Sequence, residues 1–252
     1  MKDTTPIQQF ITGNFCWALE FINCFLNFYL FPSIRIRLGL FNREQILNGP
    51  DYQRYIRWTL RIFNIKINLV NSYQVDLSKQ YIMIANHSSW FDQPVFASLP
   101  KRPAHFMAKS DYLKIPILGQ GLKLHQEIFV NAENYKEVQE QCFNYLRAGH
   151  NLCIYPEGTR SLGQNNLLPF RRGAFKFSAS SQIPILPVFI QNTDQILIKS
   201  KPLWQVRRGA DVFLHIGQPI QITQEQMDES CETLSKKYQA FVKDSITSKT
   251  NW

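Results

Sequence analysis

The stretch YIMIANHSSWFDQPVF, which runs from Tyr81 to Phe96, contains an apolar run that stops at Asn86 and His87. A short apolar run bounded by polar residues is typical of a buried β-strand, and the pattern near Phe91–Leu99 indicates a helix. A strand that leads directly into a helix is the building unit of α/β proteins. The stretch therefore predicts an α/β fold in which His87 lies just past the end of a strand.

The same alternation continues along the rest of the chain. Short apolar runs predict seven strands, at Ile65–Val70, Tyr81–Ala85, His105–Ala108, Glu127–Val130, Leu152–Tyr155, Ile185–Ile190 and Val212–Ile216. Helical patterns lie near Phe91–Leu99, Tyr135–Ala148, Gly173–Ser180 and Gln224–Ile246. We therefore expect an α/β fold with a mixed sheet flanked by helices, and we expect its functional site at the carboxyl ends of strands.

Length and charge narrow the class of protein. The chain has 252 residues, of which 44% are apolar, and this is enough for one folded α/β domain with a small appendage. The formal net charge of +9 favours an anionic partner such as a nucleic acid, a phosphorylated substrate or an acidic membrane surface. The five cysteines are scattered and form no Cys-x-x-Cys pair. They predict reduced thiols in a reducing compartment, without a zinc site or a disulfide framework.

An apolar stretch near the amino end, Phe15–Phe31, precedes Pro32, where we expect the helix to end. It approaches the length of a membrane-spanning helix, which needs about 20 apolar residues. Its polar residues fall at steps of three and four on one helix face: Gly13, Cys16, Glu20, Asn23 and Asn27. A wide aromatic face with a narrow polar stripe favours a helix in the membrane interface over a spanning helix or a buried core helix. The stretch lacks the features of a secretory signal.

A basic helix is predicted next. Arginines recur at helical spacing beside an apolar stripe: Arg54, Arg57 and Arg61, with Tyr55, Trp58 and Ile62. Anionic lipid headgroups attract such a helix, although a solvated helix face has the same pattern. Residues 1–63 are therefore predicted to form a pair of membrane-docking helices, followed by one α/β domain over residues 64–252.

His87 and Asp92 carry the first chemical signal. A neutral imidazole can take a proton from a hydroxyl, and a carboxylate bonded to its other nitrogen fixes the tautomer and stabilises the imidazolium. If His87 ends the strand and Asp92 begins the next helix, the chain turns back and brings the two together. Ser89 and Asp92 also fit a capping box, in which Asp92 only accepts backbone N–H groups. Both interpretations stay open at this point.

A second polar block, PEGTRS, runs from Pro156 to Ser161 directly after a predicted strand. Its glycine and threonine favour a tight turn. Arg160 lies in the block and Arg171 and Arg172 follow it, so three guanidinium groups suited to phosphate binding lie close in sequence. Glu157 is placed to accept a hydrogen bond from a substrate hydroxyl or to pair with Arg160. A solvated basic loop shows the same pattern.

These blocks resemble the motifs of the glycerolipid acyltransferases, the 1-acylglycerol-3-phosphate (lysophosphatidic acid) acyltransferase superfamily. The Asn-His-x4-Asp motif is matched by Asn86, His87 and Asp92. The Phe-Pro-Glu-Gly-Thr-Arg-Ser string is matched by Tyr155–Ser161 with one aromatic exchange. Three further segments are similar to segments of the family: Ala108–Gln120, Phe170–Ala174 and Ile183–Val188. The resemblance extends, in order, from about Tyr81 to Ile190.

The resemblance implies transfer of a fatty acyl group from a thioester, acyl-CoA or acyl-carrier protein, to the hydroxyl of a lysophospholipid. It implies His87 as the general base and Asp92 as its orienter. Six residues would help to hold the acceptor: Asn86, Glu157, Gly158, Thr159, Arg160 and Arg171. It also implies an acyltransferase sandwich over residues 64–252, docked on a phospholipid membrane with anionic lipids and lying on the cytoplasmic side. Neither a cofactor nor a metal is expected.

One position departs from the family pattern. In the family, the strand matched by Ile128–Val130 is followed by an arginine that contacts the acceptor phosphate, and here Ala132 stands in that place. Either Arg171, Arg172 or Lys123 supplies the charge, or the acceptor is another lysolipid or a lipid amine or hydroxyl. Lysophosphatidic acid is the favoured acceptor. The other candidates are a hydrolase or transacylase that uses water or another lipid as its partner, and a non-catalytic basic membrane-binding module. A nucleic-acid-binding protein and a conventional serine hydrolase are disfavoured, because the sequence contains neither a nucleic-acid-binding motif nor a Gly-x-Ser-x-Gly elbow.

Overall fold

The computed structural model describes residues 5–46, 49–99, 101, 104–130, 133–223 and 230–247. A seven-stranded sheet forms the centre of this part of the chain. Its strands are β1 (Ile65–Val70), β2 (Ile82–Ala85), β3 (Ala104–Lys109), β4 (Ile128–Val130), β5 (Asn151–Ile154), β6 (Ile185–Gln191) and β7 (Ala210–Ile216). Every predicted strand is confirmed, and each observed boundary lies within two residues of the expected one.

The sheet is mixed, as predicted. Its strand order is β1-β7-β6-β2-β5-β3-β4, and only β6 and β7 pair antiparallel. The three adjacent strands β6, β2 and β5 run in the same direction, and all their residues are buried. The segments that follow these strands therefore meet at one edge of the sheet.

Helices cover both faces of the sheet. The described α-helices are α1 (Pro6–Asn23), α2 (Phe31–Arg37), α3 (Arg43–Ile46), α4 (Pro50–Ile62), α5 (Asp92–Ala97), α6 (Leu118–Leu124), α7 (Tyr135–Arg147), α8 (Gly173–Ser181) and α9 (Ser230–Thr247). Side chains of β2 alternate between two cores. Met83 and Ala85 pack with α1, α4 and α5, whereas Ile82 and Ile84 pack with α7, α8 and α9. The four helices predicted after residue 64 are confirmed, and residues 224–229, at the predicted start of the last one, lie outside the described residues.

Helix α6 was not predicted from the sequence, and its Gly119 and Gly121 have low helix propensity. The structure gives the reason for a glycine here. A Cβ atom on Gly121 would lie 2.3 Å from the ring of Phe28. Glycine therefore lets α6 pack directly against the amino-terminal helix.

One continuous apolar helix, Pro6–Arg37, contains α1 and α2, which a π-helical segment, Cys24–Leu30, joins. The prediction that Pro32 ends this helix is wrong. The wider π-helical turns end at Leu30, and Pro32 is the second residue of α2, where the change of helix type accommodates a residue that has no N–H to donate. The Phe28 carbonyl, four residues before Pro32, lies 3.1 Å from His125 Nε2 and has a partner there.

The predicted membrane-associated pair is corrected to one long apolar helix. Among the described residues, only Pro6–Arg37 is long and apolar enough to cross a membrane. Helix α4 is shorter and basic, with Arg57 and Arg61 exposed. It packs beside α1 and buries Tyr52 and Ile56 in the core. Its outer surface therefore combines these two arginines with Trp58, which is 47% exposed, whereas its other large apolar residues face inward or are half-buried.

The amino-terminal helix turns its polar stripe inward and its apolar side chains outward. Glu20, in the stripe, is 8% exposed and accepts a hydrogen bond from Thr59 of α4 at 2.8 Å. More than half of each apolar side chain on the opposite face is exposed, and we call this set the outer face: Ile7, Phe10, Ile11, Phe15, Phe21 and Ile22. A helix on a water-soluble domain shows the reverse arrangement. This single apolar helix therefore suggests membrane association.

Candidate active site

Three loops meet where the adjacent parallel strands end. His87 follows β2, Glu157 follows β5 and Thr193 follows β6. Ser161 N donates a hydrogen bond to the His87 carbonyl at 2.7 Å, so the loop after β5 is tied to the loop after β2. The hydroxyl of Thr193 donates to Asp92. The structure thus brings the two sequence blocks together and adds a third segment that the sequence did not single out.

His87 and Asp92 form a hydrogen-bonded pair. His87 Nδ1 lies 2.8 Å from Asp92 Oδ2. Asp92 begins α5 and is fully buried, whereas the His87 side chain is 21% exposed and lines a cavity. An ionised carboxylate only accepts hydrogen bonds, so Nδ1 carries the proton in the neutral imidazole. Nε2 is therefore the basic nitrogen.

Asp92 also accepts backbone hydrogen bonds, as the capping interpretation expected, but the capping box itself is not formed. Its Oδ2 accepts from Ser88 N at 2.6 Å and from Ser89 N at 2.7 Å. Ser89 completes no capping box, because its hydroxyl donates to the Leu197 carbonyl at 2.6 Å. These backbone donors hold the carboxylate in the orientation that meets His87, so one carboxylate serves both the backbone and the imidazole.

The imidazole of His87 stacks on the ring of Tyr155. The ring centroids lie 4.1 Å apart and the planes are tilted by 14°. Tyr155 is the aromatic exchange in the second block, and its ring provides the flat surface. Burial raises the pKa of the Tyr155 hydroxyl well above its usual value, so the ring carries no charge next to the imidazole.

Glu157 is buried and binds backbone groups. Its Oε1 accepts from His87 N at 2.8 Å, and its Oε2 accepts from Leu168 N at 2.9 Å. The pairing with Arg160 that the sequence left open is not formed. Burial raises the pKa of Glu157 to about 7. Through its two hydrogen bonds, the Glu157 side chain fixes the backbone of His87 to the loop after β5.

Arg160 lines the same cavity as His87. Its guanidinium carbon lies 4.5 Å from the ring centroid of Trp90. Its Nη1 is buried and has no hydrogen-bond partner among the residues that the structure describes. A cation that is held by an aromatic ring and has a free donor is suited to an anionic ligand.

Two more cations flank the turn at Gly158 and Thr159. Gly158 has a φ of +67°, which favours glycine, and a Cβ atom there would lie 2.6 Å from Arg171 Nε. Glycine therefore leaves room for Arg171 to lie against the turn. On this turn, Lys199 Nζ lies 3.0 Å from the Arg160 carbonyl and 3.4 Å from Thr159 Oγ1. The sequence did not indicate Lys199, because it follows Arg160 by 39 residues and belongs to no motif.

Other sequence candidates lie behind or beside the site. Asn86 is fully buried, and its amide donates to the Ile190 carbonyl at 2.9 Å and accepts from Ile190 N at 2.8 Å. It therefore joins β2 to β6 behind His87. Arg172 lies at the start of α8 and Lys123 on α6, and both are exposed. Ala132 lies outside the described residues.

The cavity beside His87 is apolar and has a volume of about 460 Å³. Its wall includes Trp17 and Phe21 of α1, Tyr55 of α4, Phe106 and Ala108 of β3, and Leu122 of α6. Glu127 also lines it, and burial raises the pKa of this carboxyl to about 8, so it is mostly neutral at pH 7. In the described part of the chain, no group of three or more His, Cys, Asp or Glu side chains could hold a metal ion.

The part of the chain that contains these motifs is similar to known proteins. A family model described as Acyltransferase matches residues 66–191. The 1-acyl-sn-glycerol-3-phosphate acyltransferase of Borreliella burgdorferi is 27% identical over 164 residues, which cover 64% of this chain and 64% of that protein. The enzyme of the same name from Saccharomyces cerevisiae is 29% identical over 162 residues, which cover 61% of this chain and 52% of that protein. The chain thus spans about half to just under two thirds of the length of these relatives.

A solved structure has the same fold. The crystal structure of the 1-acyl-sn-glycerophosphate (LPA) acyltransferase PlsC from Thermotoga maritima matches with a TM-score of 0.71, over 93% of this chain and 97% of that chain. The two sequences are 18% identical, so this likeness concerns the fold. The family model covers half of the 252 residues and includes both His87–Asp92 and Glu157–Arg160. The chain therefore belongs to the Acyltransferase family.

Proposed function

We propose that the protein is a membrane-associated acyltransferase that moves a fatty acyl group from acyl-CoA or acyl-carrier protein to the free hydroxyl of a lysophospholipid. Lysophosphatidic acid is the favoured acceptor, and phosphatidic acid is then the product. The observation that carries the proposal is the His87–Asp92 pair beside Arg160 on the wall of an apolar cavity. One site thus offers a base, a cation for a phosphate and space for an acyl chain.

His87 acts as the general base. Its Nε2 takes the proton of the acceptor hydroxyl while the hydroxyl oxygen attacks the carbonyl carbon of the thioester and forms the new C–O bond. The tetrahedral intermediate then loses the thiolate as the C–S bond breaks, and the imidazolium returns its proton to the sulfur. Asp92, bonded to Nδ1, stabilises the imidazolium between these steps. Because the acceptor supplies the attacking oxygen, the site needs no serine nucleophile.

The apolar cavity holds the acyl chain. Its volume of about 460 Å³ lies within the range of about 300–1,000 Å³ that is usual for ligand pockets. Aromatic and aliphatic side chains such as Phe106 and Leu122 give the chain an apolar surface. Glu127, neutral through burial, places little charge beside it. An acyl chain in this cavity has its thioester end near His87, which lines the same space.

The acceptor phosphate binds at the turn after β5. Arg160 offers the buried and unpartnered Nη1, while Arg171 and Lys199 flank Gly158 and Thr159. A phosphomonoester carries about 1.5 to 2 negative charges at pH 7, so several cations favour it over a singly charged diester. Glu157 and Asn86 then contribute indirectly, because both hold the backbone around His87.

A different lysolipid is the second candidate for the acceptor. Ala132 stands where the family resemblance predicts an arginine, and an alanine cannot pair with a phosphate. A panel of lysophosphatidic acid, lysophosphatidylcholine and lysophosphatidylglycerol, each with one acyl-CoA, decides between them. The highest kcat/KM for lysophosphatidic acid supports the first candidate. A higher value for either diester supports the second.

Membrane docking uses residues 1–63, and residues 64–252 form the acyltransferase domain. The outer face of the amino-terminal helix enters the interface, and exposed arginines of α4, such as Arg57 and Arg61, meet anionic headgroups. We assign the domain to the cytoplasmic side, where acyl thioesters are made. The free thiols of Cys142 and Cys153 agree with that reducing compartment.

The activity is tested with the full chain in vesicles that contain anionic lipid, supplied with acyl-CoA and lysophosphatidic acid. Mass spectrometry should detect phosphatidic acid. His87→Ala should lower kcat by about 1,000-fold or more without changing vesicle binding or the thermal midpoint. His150→Asn is the matched control, because this histidine lies on the loop before β5, outside the site, and it should retain activity. An inactive wild type with both acyl-CoA and acyl-carrier protein would contradict the proposed function.

A further inference from the structure

The two oxygens of the Asp92 carboxylate have different environments. Oδ2 receives three hydrogen bonds, from His87 Nδ1 at 2.8 Å, Ser88 N at 2.6 Å and Ser89 N at 2.7 Å. Oδ1 receives the hydroxyl of Thr193, which is its hydrogen-bond donor among the described residues. Because Asp92 is fully buried, its carboxylate is out of reach of bulk solvent.

Thr193 is itself held firmly. It is fully buried and opens a short 3-10 turn, Thr193–Gln195, directly after β6. The residue before it, Asn192, is held at its backbone and at its side chain: its N donates to Gln164 Oε1 at 2.6 Å, and its side chain donates to the Asp211 carbonyl at 3.0 Å. The start of the turn is therefore fastened to a neighbouring loop and to β7, which limits the movement of the buried Thr193.

We propose that Thr193 is a positioning residue for the transfer reaction, acting through Asp92 on the imidazole of His87. This inference rests on the proposed function and deepens it. Thr193 lies 101 residues from Asp92 and just beyond residues 66–191, the part of the chain that the family model matches.

The physical reason lies in the torsion of the aspartate side chain. Rotation of a carboxylate about its Cβ–Cγ bond has a broad energy profile, so packing does not fix it as it fixes an aliphatic rotamer. Hydrogen bonds on both oxygens restrict this rotation. With Thr193 in place, Oδ2 faces Nδ1 before the reaction begins, and the imidazolium forms next to a carboxylate that needs no reorientation.

The test compares Thr193→Val, which keeps the shape and removes the hydroxyl, with Thr193→Ser, which keeps the hydroxyl. In the vesicle assay, Thr193→Val should lower kcat by about tenfold or more, by analogy with the loss seen when a group that orients a metal ligand is removed. KM for the acyl donor and for the acceptor should change by less than about twofold, because Thr193 lines no substrate surface. Thr193→Ser should recover most of kcat.

Ser178→Ala is the matched control for stability. Ser178 lies on α8, away from the site, and is as buried as Thr193. Its hydroxyl donates to the Ile183 carbonyl at 2.7 Å. This variant should lower the thermal midpoint and leave kcat unchanged at a temperature where it is folded. A kcat for folded Thr193→Val within about twofold of the wild type would overturn the inference. So would equal losses for Thr193→Val and Thr193→Ser.

Proton NMR separates this inference from the proposed function. The proton on His87 Nδ1, shared with a carboxylate, should give a far-downfield signal that His87→Ala removes. Thr193→Val should shift or broaden this signal even if the wild type transfers no acyl group to any acceptor in the panel. An unchanged signal would overturn the positioning role, whereas an inactive wild type with a Thr193-dependent signal would overturn the proposed function alone.

Discussion

Three substitutions on the outer face of the amino-terminal helix should release the protein from membranes. Ile11, Phe15 and Ile22 are 62%, 62% and 52% exposed. Burial of a whole side chain of this kind is worth about 1.5–3 kcal/mol, and slightly more than half of each is left to bury, so each contributes about 1 kcal/mol to docking. Replacing all three by serine should cost about 3–4 kcal/mol. Since about 1.4 kcal/mol is a factor of ten, vesicle partitioning should fall by about 100- to 1,000-fold.

The assay is co-sedimentation of the full chain with vesicles over a lipid titration. A control triple, Leu69→Ser with Tyr73→Ser and Tyr135→Ser, replaces side chains that are 51%, 52% and 50% exposed on other parts of the surface. It should bind vesicles as the wild type does. Both triples should keep the wild-type thermal midpoint to within a few degrees, because exposed side chains contribute little to the free energy of unfolding.

The same binding curve for the outer-face triple and the wild type would refute the docking surface. Release of the control triple to the same extent would refute the assignment to this helix, because binding would then follow total surface hydrophobicity. A salt titration tests the α4 arginines independently. If they attract anionic headgroups, vesicle binding should weaken as ionic strength rises, because salt screens this attraction.

Four further changes test the site. Asp92→Asn should lower kcat by about 1,000-fold or more at an almost unchanged thermal midpoint, whereas retained turnover with lost stability would leave Asp92 only a capping role. Burial raises the pKa of Glu127 to about 8, above the value of about 4.3 in an unfolded chain. The protonated Glu127 carboxyl therefore contributes its full share to the free energy of unfolding below about pH 4, and this share is lost as the pH rises through about 8. Urea titrations at a series of pH values measure the free energy of unfolding. Over that pH range it should fall less steeply for Glu127→Gln than for the wild type. Parallel pH curves for the two proteins would contradict the raised pKa of Glu127. Ala108→Phe fills part of the cavity and should shift the preferred acyl-CoA to shorter chains, as read by competition between chain lengths. Ala132→Arg should lower KM for lysophosphatidic acid relative to lysophosphatidylcholine, and an unchanged ratio would show that other cations already supply the contact.

The strands could be predicted from the sequence because buried parallel strands are continuous apolar runs. Strand β2 shows this most clearly, since both of its faces pack in a core and Ile82 through Ala85 are all buried. Helix α6 could not be predicted in the same way. Its glycines serve a close approach to Phe28, which is a tertiary contact that local propensity does not contain. The prediction that the first helix ends at Pro32 failed for a similar reason, because π-helical turns are rare and no local sequence pattern indicates them here.

In the site, too, contacts between residues close in sequence could be predicted, and contacts between distant segments could not. His87 and Asp92 are five residues apart, so a strand end and a helix start are enough to bring them together. Lys199 and Thr193 reach the site from a segment far along the chain, and each makes its contact through one side chain. A single-residue contact of that kind leaves no periodicity and no motif. Glu157 was found by its motif, but its partners are backbone groups, which the identity of neighbouring side chains cannot indicate.

Phe21 connects the membrane face with the chemistry. It belongs to the outer face, where 59% of its surface is exposed, and it also lines the cavity beside His87. The wall of the cavity is therefore formed in part by the helix that is proposed to lie in the interface. Under the proposed function, a lysophospholipid and the acyl chain of the donor both reside in or near the bilayer. A cavity whose wall is a docked helix lets an acyl chain pass from the lipid to His87 with little exposure to water, so docking and catalysis depend on the same element.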